Sequence, residues 1–133
     1  MLKDTPKEPG FQYFNPVRLV GGSTVYEGRV EVYRNGVWGT VCDESWDDQN
    51  TVVVCTSMGF SSEGAQALYG QPFGRGTGPV HMNGVECQGN ESSILQCNHR
   101  GWENQDCDHS RDVSVNCTSF RSMFYIYFFY LQH

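Results

Sequence analysis

Runs of alternating polar and apolar residues in the first third of the chain predict β-strands. Residues 17–20 are mostly apolar and precede a glycine pair, residues 29–33 alternate at period two, and residues 37–42 follow. Asn35-Gly36 separates the last two runs, and this dipeptide favours a type I′ turn because both of its positions adopt positive φ. The pattern therefore predicts a β-hairpin.

The two faces of this hairpin are expected to carry different side chains. Tyr33 and Trp38 are expected to lie opposite each other across the strands. One face is expected to carry Val30, Val32 and Val41. The other is expected to carry Arg29, Glu31, Tyr33, Trp38 and Thr40.

A helix is predicted over residues 47–58. Asp47 or Asp48 can cap its free amides, and Gly59 can end it. Its inner side would consist of Val52, Val53 and Cys55. Because adjacent valines are mediocre helix formers, a strand over residues 51–55 is the alternative.

The rest of the chain is predicted to be mainly loop. Residues 70–84 are rich in glycine and include two prolines, which indicates a long ordered loop with a short strand near residues 80–82. Residues 91–96 are expected to form one helical turn. Residues 113–117 alternate again and predict a closing strand.

Six cysteines lie within one run of 76 residues, between Cys42 and Cys117. An even number of cysteines without CxxC pairs, in a short and loop-rich segment, is typical of a secreted domain with three disulfides. Six cysteines allow fifteen pairings, and spacing alone does not select one. Each disulfide is expected to add about 2–4 kcal/mol, which compensates for a hydrophobic content of 38%.

Length and charge restrict the number of domains and the choice of partners. A chain of 133 residues has room for one domain of about 100 residues, which we place at residues 17–118. Residues 1–16 are expected to be unstructured, and the apolar tail, residues 119–133, to lie outside the domain. A net charge of −6 argues against nucleic acid and anionic lipid as partners.

Both ends suggest that the chain is a piece of a longer exported protein. Residues 1–16 lack the apolar core of a secretory signal, although the cysteines indicate an oxidising compartment. Residues 123–131 are apolar or aromatic, but a bilayer-spanning helix needs about 20 residues. We therefore expect an extracellular location, either secreted or in a receptor ectodomain, with any membrane attachment supplied by missing parts of the parent protein.

A series of motifs in a fixed order resembles one known family. These motifs are VRLVGG at 17–22, GRVEV at 28–32, WGTVC at 38–42, WD at 46–47, VC at 54–55, MG at 58–59, GTGP at 76–79, CQGNE at 87–91, LQC at 95–97, GW at 101–102 and CDH at 107–109. The chain resembles a scavenger receptor cysteine-rich domain from about residue 17 to residue 117. Phe60 stands where the eight-cysteine group of that family has a further half-cystine, so the resemblance is to the six-cysteine group.

The resemblance implies a fold and a disulfide pairing. The fold would be of the α+β class, a small disulfide-rich domain in which a curved antiparallel sheet cradles one main α-helix. The implied disulfides are Cys42–Cys107, Cys55–Cys117 and Cys87–Cys97. Two of these close long loops, where cross-linking removes most entropy from the unfolded chain.

Acidic residues before the helix are candidates for cation binding. In family members that bind cations, an acidic pair lies where this chain has Asp43 and Glu44, and the resemblance adds Asn83 and Asp106 at a second position. Ca²⁺ prefers such oxygen ligands and is the candidate ion, although the fold is expected to require no cofactor. Arg111 replaces an acid of the first position, which weakens it. The alternative explanation is that acids favour the amino terminus of a helix without any metal.

The resemblance implies a non-catalytic recognition module that binds polyanionic, microbial or protein surfaces, as repeated or oligomeric units. Its candidate contacts with anions are Arg29, Arg34, Arg75 and Arg111. Asn90 begins an acceptor tripeptide for glycosylation. No catalytic motif is present, so the chain is not expected to be an enzyme. The alternative function is that of an accessory domain in a secreted protease or amine oxidase.

Overall fold

A curled six-stranded sheet and one α-helix form the domain in the computed structural model, which describes residues 14–103 and 106–118. The strands are β1 (Val17–Gly21), β2 (Glu27–Arg34), β3 (Val37–Val41), β4 (Ser61–Leu68), β5 (Val80–Met82) and β6 (Ser114–Thr118). The helix α1 covers Asp48–Ser57, and 3₁₀ turns cover Ile94–Gln96 and His109–Arg111. The predicted α+β class is confirmed.

The sheet is mixed, whereas the sequence analysis expected it to be antiparallel. Its strand order is β4-β6-β2-β3-β5, and β1 also pairs with β2. Every pair is antiparallel except β3 with β5, which is parallel. The chain between these two strands passes through α1 and β4, and a crossover of this length is what a parallel pair requires.

The predicted hairpin is confirmed in its register and in its turn. Tyr33 pairs with Trp38, and φ is +54° at Asn35 and +83° at Gly36, as a type I′ turn requires. The valines of the inner face, Val30, Val32 and Val41, are fully buried. On the other face Glu31 and Thr40 are also buried, at 6% and 0% exposure, so half of that face is covered by another part of the chain.

The helix is confirmed, and the alternative strand over residues 51–55 is wrong. Of its expected inner side, Val53 and Cys55 are buried, whereas Val52 is only half-buried and Val54 is buried instead. Asp47 is the cap, with its carboxylate accepting a hydrogen bond from the Asn50 amide at 3.0 Å. The chain leaves the helix through Gly59, at φ +84°. Capping at both ends therefore outweighs the low helix propensity of the valine run.

Strand β4 was missed by the sequence analysis. Its sequence, SSEGAQAL, has small residues and few β-branched or aromatic ones, so its strand propensity is low. Pairing with β6 compensates, from Ser61 opposite Thr118 to Leu68 opposite Ser114. The register shifts between Ser61 and Gln66, and Gly64 within this shift has φ +79°, a conformation that glycine tolerates at a bulge.

The predicted loop and closing strand are confirmed. Strand β5 lies where residues 80–82 were expected, the 3₁₀ turn at Ile94–Gln96 lies within the predicted helical turn, and β6 closes the sheet. We call residues 71–79 the strap, because they lie over the outer face of β2 and β3. The Gly76 amide donates a hydrogen bond to Asp112 at 2.7 Å, and the Pro79 carbonyl accepts one from the Thr40 amide at 2.9 Å.

The three disulfides pair as the family resemblance implied: Cys42–Cys107, Cys55–Cys117 and Cys87–Cys97. Cys55–Cys117 joins α1 to β6 inside the core, where both residues are buried. The apolar core lies between the inner face of the sheet and α1, and most of it consists of valines with Ile94 and Met82. The expected tails, residues 1–16 and 119–133, lie almost wholly outside the described residues.

Candidate ligand-binding surface and cation positions

Arg29 is held beneath the strap and is only 11% exposed. Its Nη1 donates to the carbonyls of Phe73 at 3.3 Å and Gly74 at 3.0 Å, and its Nε donates to Glu31 at 2.9 Å. The same Glu31 carboxylate accepts a hydrogen bond from Arg18 Nη2 at 2.7 Å. A guanidinium with all of these partners is structural in this arrangement, and only its edge remains accessible to a ligand.

Arg34 lies at the end of β2, and its guanidinium stacks on the Trp102 ring at 4.0 Å. Its Nε is 3.7 Å from Glu103, and the side chain is 33% exposed. Glu103 also contacts the buried His81, whose other ring nitrogen lies 2.8 Å from the Val37 carbonyl. Arg34 therefore combines a cation–π contact with partial exposure.

Arg75 and Arg111 differ in how firmly they are held. Arg111, which replaces an acid of the first cation position, donates to Asp43 at 2.9 Å. Arg75 is exposed on the strap. Hydrogen bonds from the Ser110 hydroxyl and amide lower the pKa of Asp108, with a smaller contribution from the charge of Arg75. Of the four candidate arginines, Arg29 bonds to the strap and Arg75 belongs to it, whereas Arg34 lies at the far end of β2.

The cation candidates form two groups, each of which contains an arginine. At the first position Asp43 is already paired with Arg111. At the second, Arg100 Nη1 lies 2.6 Å from Glu44, and its Nη2 lies 3.6 Å from Asp106. A guanidinium therefore occupies space between carboxylates that Ca²⁺ would otherwise bridge.

Asn83 belongs to the second group and retains an unused acceptor. Its Nδ2 donates to Glu44 at 3.4 Å, and the residue is fully buried. Within the described residues its Oδ1 accepts no hydrogen bond. The oxygen donors of Glu44, Asn83 and Asp106 fit Ca²⁺ chemically, with Arg100 as the competing cation. The first position does not fit, because Arg111 supplies a positive charge in place of a ligand.

An exposed aromatic patch lies on the outer face beside the strap. Phe14 and Tyr33 are 63% and 36% exposed. The Phe14 ring meets the Tyr33 ring edge-on, with centroids 5.1 Å apart. The Trp38 ring is tilted against Tyr33, and the guanidinium of Arg18 lies over it, 4.1 Å from the ring centroid. We call Phe14, Tyr33, Trp38 and Arg18 the aromatic patch. Only its Tyr33–Trp38 pair was predicted, because a cross-strand partner can be read from hairpin register, whereas the return of Phe14 cannot.

Asn90 is exposed in the loop between Cys87 and Cys97. The Glu91 carboxylate accepts hydrogen bonds from the amides of Gln88 and Gly89, and the first of these is the main cause of the lowered pKa of Glu91. The Ser92 hydroxyl, which completes the acceptor tripeptide, is exposed and donates to Gln96. Glycosylation at Asn90 stays a prediction.

The sequence analysis missed a polar cluster under the strap, formed by Thr40, His109 and Asp112. Asp112 is fully buried and accepts hydrogen bonds from Gly76 and from His109. The sequence analysis identified only the Cys-Asp-His motif at residues 107–109, because a contact between β3, the strap and this turn depends on tertiary structure.

The family model named scavenger receptor cysteine-rich domain matches residues 20–118. The chain belongs to this family. Its members include macrophage scavenger receptor types I and II of Bos taurus, with 48% identity over 79% of this chain and 23% of that protein. Lysyl oxidase homolog 2 of Bos taurus is 50% identical over 76% of this chain and 13% of that protein. The chain thus spans less than a quarter of either relative.

Solved structures of the same family confirm the fold. The third scavenger receptor cysteine-rich domain of murine neurotrypsin superposes with a TM-score of 0.70 at 43% identity, over 77% of this chain and 94% of that one. The domain of mouse MARCO, in its dimeric form, superposes with a TM-score of 0.63 at 38% identity, over 77% and 94% of the two chains. Domains of this family are extracellular and typically non-catalytic. Among the described residues, no helix has the length and apolar character needed to cross a bilayer.

Proposed function

We propose that this chain is a non-catalytic extracellular recognition domain of scavenger-receptor type, and that its ligand is a protein surface. The observation that carries the proposal is the aromatic patch, which exposes Phe14 and Tyr33 beside the Trp38–Arg18 stack. Tyrosine, tryptophan and arginine are the residue types that most often dominate binding energy at protein interfaces. The patch is polar at its edge and apolar at its centre, which suits a protein partner with acidic side chains around an apolar contact.

A polyanionic or microbial surface is the competing ligand class. It would use Arg29, Arg34, Arg75 and Arg111, but Arg29, Arg34 and Arg111 already form ion pairs with carboxylates. The charge of Arg75 makes only a minor contribution to the pKa of Asp108. Arg75 is therefore the best anion contact of the four. The net charge of −6 also opposes a polyanion at long range. These two facts favour a protein surface without removing the anion candidates.

The two ligand classes can be separated with a tetrameric form of the domain, because single modules of weak affinity need avidity to be measured. The tetramer is bound to decellularised matrix that has been treated with protease, with heparinase or with neither. We expect binding to be lost after protease treatment and retained after heparinase. Dextran sulfate should compete no better than neutral dextran.

Matched variants test the surface. Phe14→Ala should weaken binding at least about tenfold, as expected for an interface residue that contributes more than 1 kcal/mol. Val25→Ala is the control, because Val25 is also a large exposed apolar residue, at 77% exposure, but lies outside the aromatic patch. Competition by dextran sulfate together with loss of binding in Arg75→Ala would support the polyanion class instead. Absence of tetramer binding to all three matrices would contradict the proposal.

A second candidate function is supported by the match to lysyl oxidase homolog 2. In this case the domain would be a non-catalytic accessory part of a secreted multidomain enzyme such as an amine oxidase or a protease. The flanking coding sequence tests it directly: a catalytic domain in the same reading frame supports the accessory function, whereas further cysteine-rich repeats or a collagen-like stalk support the receptor type.

We further propose that folding of the domain needs no cofactor. Arg111 and Arg100 neutralise the carboxylates of Asp43 and Glu44, a role that a divalent cation could otherwise have. Ca²⁺ remains a ligand candidate for Glu44, Asn83 and Asp106, where it would have to displace Arg100.

A further inference from the structure

The His109 ring bridges a carboxylate and a carbonyl group. Its Nδ1 lies 2.9 Å and 3.0 Å from the two oxygens of Asp112 and 3.3 Å from the Thr40 hydroxyl. Its Nε2 lies 2.7 Å from the carbonyl oxygen of Gly78 in the strap. A carboxylate and a carbonyl can only accept hydrogen bonds, so both contacts form together only when both ring nitrogens carry a proton.

The polar and charged groups around His109 come from four parts of the fold. The 3₁₀ turn and the residues beside it supply Asp108 and Asp112, β2 supplies Arg29, β3 supplies the uncharged Thr40, and the strap supplies Arg75, which acts through Asp108. Burial alone would lower the pKa of His109. The hydrogen bonds to Asp112 and Gly78 and the charge of Asp112 outweigh burial and the opposing charge of Arg29, so the pKa is raised above its ordinary value.

We propose that a proton on His109 latches the strap to the outer face of the sheet, so that the strap is held firmly in mildly acidic solution and loosens when His109 loses this proton. A neutral imidazole donates from one nitrogen only. Either Asp112 or the Gly78 carbonyl then faces a lone pair, and the contact becomes repulsive.

The sign of the effect follows from the direction of the pKa shift. A raised pKa in the folded state means that the proton stabilises the latched form. This stabilisation is complete below the ordinary pKa of histidine, about 6.5, and is lost as the pH rises through the higher value of the latched state. The strap is therefore expected to loosen at a pH above the ordinary histidine pKa of about 6.5.

Release of the latch would affect groups that the strap now covers. Asp112 holds the Gly76 amide, and the strap carbonyls of Phe73 and Gly74 hold Arg29. Loosening the strap would free the guanidinium of Arg29 for solvent or for a ligand. The latch does not depend on which ligand the domain binds, and its test uses no ligand.

The test measures hydrogen exchange and histidine titration by NMR on the oxidised domain, between about pH 5 and pH 8.5, a range that brackets histidine titration. The reporting amides are Gly76, which donates to Asp112, and Thr40, which donates to Pro79 in the strap. We expect their protection factors, corrected for intrinsic exchange, to fall as the pH rises. The Cys87 amide, which donates to the buried Asn50 away from the strap, should keep its protection and serves as the internal reference.

A matched pair of variants separates the latch from general pH effects. His109→Gln removes the titrating ring, and protection of Gly76 should then be low and independent of pH. His99→Gln is the control, because His99 stacks on Trp102 and does not touch the strap. If His109→Gln does not fold, titration of the wild-type ring decides the question. A His109 pKa at or below the ordinary histidine value of about 6.5, or protection of Gly76 that does not change with pH in the wild type, would overturn the proposal.

Discussion

Single buried side chains connect parts of this fold that are distant in sequence, and Asn50 is the clearest case. It lies in the first turn of α1 and is fully buried. Its Nδ2 donates to the Val85 carbonyl at 2.8 Å, and its Oδ1 accepts from the Cys87 amide at 3.0 Å. One amide therefore satisfies two backbone groups on either side of Glu86, which itself forms a β-bridge with Asn98.

Asn50→Ala should destabilise the domain by about 3 kcal/mol, because it leaves a buried carbonyl and a buried amide unpaired, each at a cost of about 1–3 kcal/mol. The measurement is equilibrium unfolding in denaturant with the disulfides intact. Gln49→Ala removes the same kind of side chain from an exposed neighbouring position and should change the free energy of unfolding by less than about 0.5 kcal/mol. Equal effects of the two substitutions would show that Asn50 does not have this role.

The contribution of Asn50 could not be predicted from the sequence. Asparagine near the start of a helix usually indicates capping, and Asp47 has that function here. The partners of Asn50 lie 35 and 37 residues away, and no periodicity connects them. The same holds for Phe14, whose contact with Tyr33 depends on how the chain enters β1.

At the level of elements, those with strong local signals were predicted and those that depend on pairing were not. The Asn35-Gly36 turn and the aspartate cap of α1 are local signals, and both are confirmed. Strand β4 has a weak signal and forms because β6 offers an edge. The parallel β3–β5 pair was likewise unpredictable, since three residues of β5 carry no information about direction.

The disulfides differ in the elements that they join and in the loops that they close. Cys55–Cys117 spans 62 residues and joins α1 to β6, whereas Cys87–Cys97 spans 10 residues within one loop. In the loop-entropy estimate, these separations correspond to about 4 kcal/mol and about 3 kcal/mol of stabilisation. The longer link is also more deeply buried, so its removal leaves a cavity in the core.

Replacing both members of a pair by alanine should therefore destabilise the domain more at Cys55 and Cys117 than at Cys87 and Cys97. The measurement is equilibrium unfolding of the two double variants under identical oxidising conditions, and the short-loop variant is the control for loss of a disulfide as such. A larger loss of stability in the short-loop variant would contradict the expected order.

Ion pairs, as well as disulfides, join segments of this molecule that are far apart in sequence. Arg100 and Arg111 reach back by 56 and 68 residues to Glu44 and Asp43, at the entrance to the helix. These pairs tie the loop after β3 to the last third of the chain, next to the Cys42–Cys107 disulfide. Partly exposed ion pairs contribute little to stability, so their main consequence is to balance the acidic residues locally.

Ca²⁺ binding tests this role of Arg100. Its guanidinium lies between Glu44 and Asp106, and the unused Oδ1 of Asn83 belongs to the same group. Replacing the arginine removes a positive charge from these oxygens, so Arg100→Ala should bind Ca²⁺ at least about tenfold more tightly than the wild type, which corresponds to about 1.4 kcal/mol. The measurement is calorimetric titration of the oxidised protein with Ca²⁺ up to millimolar concentration. Arg75→Ala is the control, since it removes the same charge from the strap and should leave Ca²⁺ affinity unchanged. Wild type and Arg100→Ala with equal affinity, or neither with any heat of binding, would show that these oxygens do not form a cation site that Arg100 blocks.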